Sequence, residues 1–240
     1  MSKPNIYVLA YGKWGYGKSE FASTFPYPNL VLCFDSPNKA MPYLKKGMAT
    51  GVEDWEYGQF QEVVDPKTGE LRIRVEYYMD EDIEHTTSYS NFVERFASLG
   101  AEVRAGKFKT VTLDTVTTME LAVRKLEQYR LNPGKDGAKY TKHALQWKAG
   151  STDAIEEMLL VRFPALALRA NVVVLTHLDS TQVDSDIKKS GKDEHFGSMA
   201  YSPSMPGRMK SRAGAGPSEV YRMQANLVNG KVVRTIQTQP

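Results

Sequence analysis

A chain of 240 residues, 41% hydrophobic and 25% charged, lies in the ordinary globular range and can bury one substantial core, so a single domain over 1–240 is expected. Its formal charge of +3, from 31 basic and 28 acidic residues, excludes nucleic-acid binding through bulk electrostatics, and any DNA contact must come from a local patch. No apolar run approaches the ~20 residues that cross a bilayer, and the opening MSKPNIYVLAYG is too short for a secretory segment, so a cytoplasmic protein with no membrane partner is expected.

The run NIYVLA, residues 5 to 10, predicts a strand that feeds a glycine-rich turn, and FAST opens a short helix after it. NLVLCFD predicts a second strand ending at Asp35, with Cys33 inside it as a buried residue rather than a reactive thiol. Both strands are apolar on successive residues, the pattern of a parallel sheet covered by helices on both faces. EVVDPKTGELRIRVEYY predicts a hairpin turning at Asp65 to Gly69, and residues 51–89 read as an insertion.

Apolar residues at helical spacing predict a helix from Tyr89 to Arg104, followed by the strand TVTLD ending at Asp114 and a helix from Thr118 to Tyr129. The polar stretch 131–147 reads as a loop. A helix from Asp153 to Arg169 should kink or break at Pro164, and the strand NVVVLTH follows at 171–177. Residues 178–217 show no periodicity and read as one long loop. EVYRMQANLV and KVVRTIQT then predict an antiparallel hairpin turning at Asn229-Gly230.

The strand-to-helix turn carries the chemistry. Gly12-Lys13-Trp14-Gly15-Tyr16-Gly17-Lys18-Ser19 matches GxxxxGK[ST] without a gap, between a predicted strand and a predicted helix. Gly12, Gly15 and Gly17 permit backbone angles that turn successive amides round a phosphate, and Glu20 extends the same nucleotide-contacting stretch. Lys18 should reach the β- and γ-phosphates while the Ser19 hydroxyl holds Mg2+, so ATP with magnesium is the expected ligand pair.

A P-loop of this kind needs a carboxylate at a neighbouring strand end, and Asp114 supplies one, although an aspartate there can also cap the helix that follows. Asp35 ends the other early strand, where it can orient the attacking water, contact the nucleotide, or simply start a turn. Thr176-His177 ends a strand at the same carboxyl edge, where it can sense the γ-phosphate or simply hold a satisfied sheet-end histidine. His85, His143 and His195 show no metal-ligand spacing with one another or with Cys33, so zinc is not expected.

Two stretches are candidates for DNA contact. The loop 178–217 holds Lys188, Lys189, Lys192, Arg208, Lys210 and Arg212, mixed with Asp184, Asp186, Asp193 and Glu194. Between 135 and 148, Lys135, Lys139, Lys142 and Lys148 alternate with Tyr140 and Trp147, the cations and stacking faces that single strands favour.

Taken in order, GKWGYGKS, a strand ending CFDSP, TVTLDT, VVVLTH, a long loop with PSMPGRMK and a terminal hairpin, the chain resembles the RecA-like core ATPases of bacteriophages. In particular it is similar to phage nucleotide-binding proteins that act as ATP-dependent single-strand annealing proteins. The resemblance covers nearly the whole chain outside 51–89. It implies an α/β P-loop NTPase fold of RecA type, with a mostly parallel sheet flanked by helices, and an ATPase that binds single-stranded DNA.

It further implies that Asp114 is the acid of the magnesium shell and that His177 is a sensor linked to a DNA-contacting loop. Arg208 and Lys210 would be fingers entering a neighbouring subunit's ATP site, in a ring or filament with ATP at the interface and a single-strand-binding protein as a further partner. The sequence departs from the family where a catalytic glutamate would follow the second strand's aspartate by two residues, since the order here is Asp35-Ser36-Pro37. A slow, DNA-stimulated ATPase fits that departure. A motor or regulatory ATPase acting on a protein, with 51–89 as its docking element, and a small-molecule kinase are the alternatives.

Overall fold

The computed structural model describes residues 4–55, 58–80, 86–131, 144–182, 199–205, 212, 215–228 and 231–239. In chain order it begins with β1 (Tyr7–Gly12), α1 (Lys18–Ala22), β2 (Asn29–Cys33), α2 (Met41–Leu44), β3 (Met48–Trp55), β4 (Gly58–Val64) and β5 (Leu71–Tyr77). There follow α3 (Ser88–Arg104), β6 (Thr110–Asp114), α4 (Val116–Leu131), α5 (Ala144–Glu157), α6 (Phe163–Ala167), β7 (Asn171–Gln182), β8 (Met199–Pro203), β9 (Glu219–Val228) and β10 (Lys231–Gln239).

Across the sheet the order is β10-β9-β1-β7-β6-β2-β5-β4-β3. The strands from β9 to β5 run parallel, and antiparallel strands are added at both ends: β10 outside β9, and β4 then β3 outside β5. This is the α/β class expected, with the C-terminal antiparallel pair in place. The turn residues Asn229 and Gly230 lie outside the described residues.

Alternation along the central strands divides the core in two. Tyr7 and Leu9, Leu30 and Leu32, and Val172 and Val174 belong to one cluster, completed by Phe92, Phe96 and Leu99 of α3, Met119 and Val123 of α4, and Phe163 of α6. Val8 and Ala10, Val31 and Cys33, and Val173 and Leu175 belong to the other, covered by Ala22 of α1, and by Ala40 and Tyr43 at α2. Burial on both faces is why these strands read as unbroken apolar runs.

Within residues 51–89, the stretch that reads as an insertion, β4 and β5 belong to the main sheet. The hairpin at 65–69 is present, but its second strand, β5, lies parallel to β2 from Asn29↔Ile73 to Cys33↔Tyr77 and is part of the main sheet. Glu76, wholly buried on β5, ties the strand to α3: Arg95 donates to it at 3.0 Å, with Arg74 at 2.9 Å and Tyr78 at 3.0 Å. Charged strand residues with partners on a distant helix cannot be recognised from a hydrophobic pattern. The long loop 178–217 is also shorter than expected, because β7 continues to Gln182 and pairs antiparallel with β8, from Leu178↔Pro203 to Gln182↔Met199. Residues 144–147, read as loop, open α5.

Pro164 breaks the helical pattern in a specific way. Residues Met158–Arg162 form a π-helical turn, in which the Phe163 amide donates to the Met158 carbonyl five residues back. In that register the next donor, owed to Leu159, would be Pro164, which has no N–H. The Tyr7 hydroxyl supplies it from β1, donating to the Leu159 carbonyl at 2.9 Å in a buried setting. Tyr7→Phe leaves that carbonyl unpaired and is expected to lower unfolding stability by about 1–2 kcal/mol, read as a lower denaturation midpoint at unchanged m.

Candidate nucleotide site

Three parallel strands carry the site on their carboxyl ends. β7 lies between β1 and β6, and the register sets Gly12 level with His177 and Asp114 level with Leu175. The loop leaving β1 and the acid ending β6 therefore face each other across the end of β7. Side chains from all three line one cavity of about 540 Å³, whose wall includes Trp14, Gly15, Lys18, Ser19, Asp114 and His177.

The loop is shaped by glycine at two positions of positive φ, Gly15 at 78° and Gly17 at 90°. Gly12 serves a different need from the backbone freedom expected of it. A Cβ there would stand 2.9 Å from the Met223 carbonyl of β9, so the absent side chain permits close strand packing. Gly12, Lys13 and Tyr16 stand behind the cavity rather than in its wall: the ring of Tyr16 packs on the α1 side of the core, and the carbonyls of Gly12 and Lys13 accept from the Lys18 ammonium at 2.9 and 3.1 Å. α1 has only five residues, so its dipole is short and the loop's own amides are the main anion donors.

The acid is tightly held. Asp114 Oδ2 accepts from the Ser19 hydroxyl at 2.8 Å and from the Tyr43 hydroxyl of α2, also at 2.8 Å. Burial raises the Asp114 carboxyl above the usual carboxylate range, against the two hydroxyl bonds that lower it. Burial likewise lowers Lys18, opposed by the charges of Asp114 and Asp35. Tyr43 was invisible in the sequence, where PNKAMPYL matches no motif. Only the placement of α2 beneath the ends of β2 and β6 brings it to Asp114. The capping role considered for Asp114 is filled locally by Thr115 and Thr118, whose hydroxyls lie 2.8 Å apart at the start of α4.

Asp35 lines the cavity with its carboxylate buried and ion-paired to Lys39 at 3.1 Å. Glu20 also lines it, but pairs with Lys46 at 2.5 Å on the exposed side. His177 lies in the wall with its pKa lowered, first by burial and then by the charges of Lys18 and Lys39 against the opposing Asp35, so the ring is neutral at pH 7. Thr176 does not share the cavity: it is fully buried and donates to the Ser204 carbonyl at 2.8 Å. The His177 backbone is gripped from both sides, its amide donating to the Thr117 hydroxyl at 3.1 Å and its carbonyl accepting from the Ser204 amide at 2.8 Å.

Two cations in the wall were not anticipated: Lys39, which pairs with Asp35, and Arg234, from β10. Neither motif nor periodicity marks Arg234, and only the strand order brings the terminal strand to the P-loop. The expected fingers Arg208 and Lys210, and the expected DNA contacts Lys139, Lys142, Lys188 and Lys189, lie outside the described residues, as do His85, His143 and His195.

The donor set suits a magnesium nucleotide. A hydroxyl and a buried carboxylate already 2.8 Å apart, beside a lysine and a glycine-shaped loop, are the groups that a hard cation shared with phosphate oxygens requires. Ser19 and Asp114 would hold the ion, and Lys18 with the loop amides would hold the phosphates. Among the described residues no helix is long and apolar enough to cross a membrane.

No protein-family model matches the sequence, and no curated protein matches it. Among solved structures the chain is similar to a KaiC-like protein of the hyperthermophilic archaeon Pyrococcus horikoshii OT3, at 12% identity and a TM-score of 0.44, over 98% of this chain and 78% of that one.

The raised Asp114 pKa gives a stability test. Folding without ligand favours the protonated acid, so this contribution is present at acid pH and is lost as pH rises through the folded-state pKa. Asp114→Asn, neutral throughout, is expected to raise the ligand-free Tm at neutral pH. The gain should vanish on acidification, when the wild-type acid is protonated too. Calorimetry at two pH values checks it.

Proposed function

We propose that this chain is a magnesium-dependent ATPase of RecA-like type that binds single-stranded DNA and promotes strand annealing as a ring or short filament. The observation that carries the ATPase reading is the single cavity holding Lys18, Ser19, Asp114, Asp35 and His177 at adjoining strand ends. Magnesium, when bound, would neutralise charge on the β- and γ-phosphate oxygens. Lys18 moves from the loop carbonyls to the phosphates. Asp35, steadied by Lys39, accepts a hydrogen bond from a water and turns it in line with the γ-phosphorus. The water oxygen bonds to that phosphorus as its bond to the β–γ bridging oxygen breaks, leaving ADP and inorganic phosphate, and Asp35 takes the water's proton.

The DNA reading is supported by the sequence resemblance and by the grip on His177. Through Thr117 and Ser204 the sensor position is tied to the β7–β8 pair, and the residues joining those strands include Lys188 and Lys189. A change at the γ-phosphate would reach the β7–β8 pair through His177. Arg208 and Lys210 as fingers in trans, with ATP at the subunit interface, and a single-strand-binding protein as partner belong to the same proposal.

ATP hydrolysis measured with and without single-stranded DNA, beside a gel shift at two salt concentrations, tests both parts. Lys18→Ala is expected to lower kcat/KM by about a hundredfold or more. Single-stranded DNA should stimulate the wild type, and ATP-dependent binding should weaken as salt rises. Unchanged hydrolysis in Lys18→Ala would overturn the P-loop assignment. Hydrolysis indifferent to DNA, with no shifted band in any nucleotide state, would overturn the DNA reading and leave the ATPase.

A further inference from the structure

Arg234 stands in the cavity wall from a strand that the P-loop motif does not involve. β10 is the outermost strand on the β1 side, separated from β1 by β9. Its residues 231–238 are all exposed, yet the Arg234 side chain reaches back over the loop. A Cβ built on Gly17 would meet Arg234 Cδ at 2.8 Å and Nε at 3.1 Å, so the guanidinium stem occupies the notch that this glycine leaves open. Gly17 immediately precedes Lys18, and its positive φ turns the loop where phosphate is to be held.

The charges around it point to an anion. Lys39 is paired with Asp35, Lys46 with Glu20, and Lys18 is bound by two carbonyls. Arg234, by contrast, has no ion pair or hydrogen bond within the described structure. A planar fork of donors left unmatched beside a phosphate loop is suited to two-point contact with phosphate oxygens.

We infer that Arg234 is a phosphate-contacting residue of the same subunit's nucleotide site, so that the terminal hairpin closes on the triphosphate chain of ATP. This rests on the nucleotide reading above and adds to it a second cation, acting in cis. The hairpin thereby becomes part of the site.

The test measures the affinity of magnesium-ATP and of magnesium-tripolyphosphate for the wild type, Arg234→Ala, Arg234→Gln and Arg234→Lys, with circular dichroism as the check on folding. Arg234→Ala and Arg234→Gln are expected to weaken both ligands alike, by about tenfold to a hundredfold, as for loss of a hydrogen bond to a charged group. Arg234→Lys should recover part of the loss through charge alone. Mixing Arg234→Ala with Lys18→Ala should restore no hydrolysis, because both residues serve one site.

A wild type that binds neither ligand would defeat the nucleotide reading itself. A wild type that binds both, with folded Arg234 variants of unchanged affinity, would defeat this inference alone. Loss of ATP affinity with tripolyphosphate unaffected would make Arg234 a base contact and overturn the phosphate assignment. Restored hydrolysis on mixing would overturn action in cis.

Discussion

The hydrogen bond from Ser19, in the α1 helix that follows β1, to Asp114, at the end of β6, links two strands that are not neighbours, and the rest of the site depends on it. β7 lies between them, so both side chains must clear the end of an intervening strand. That is possible only in one register, with Gly12 beside His177 and Asp114 beside Leu175. A slip of one residue would turn Asp114 into the opposite face of the sheet. The two-sided core opposes such a slip, because it would exchange the slipped strand's residues between the two clusters.

Burial of the same site sets an electrostatic conflict. Asp114, Lys18 and His177 are all pushed towards their neutral forms by burial, and the partners they find inside the protein only partly compensate. A ligand bearing both a cation and anions resolves this better than the protein does alone. Under the proposed function, affinity for a metal-phosphate ligand would be built from groups that the fold alone solvates poorly. Tyr43 moderates the conflict by donating to Asp114 from a helix of only four residues, so the position of α2 is part of the acid's environment.

What could be read in the sequence follows the range of the interactions concerned. The P-loop, the strands around Leu30 to Phe34, Val111 to Asp114 and Val172 to Leu175, and the helix α3 are local patterns of spacing and turn residues, and they were legible. Asp35, Asp114 and His177 were found because strand ends in a parallel sheet share an edge. Tyr43, Arg234 and Glu76 were not, since each owes its place to an element distant in sequence and brought near only by strand order. The π-helical turn is a mixed case: Pro164 announced a disturbance, but its resolution required a hydroxyl 152 positions separated from the carbonyl it serves.

That separation bears on how the chain is made. Both neighbours of β1 come from the last third of the sequence, β7 beginning at Asn171 and β9 at Glu219, and the Tyr7 backbone is bound on both sides by Ser218. On a ribosome adding roughly 5–20 residues per second, the first strand waits roughly ten to forty seconds for its last partner. During that interval it emerges with both edges open and the P-loop attached to nothing. The strand ends that surround the loop after β1 therefore come together only once β9 has been synthesised.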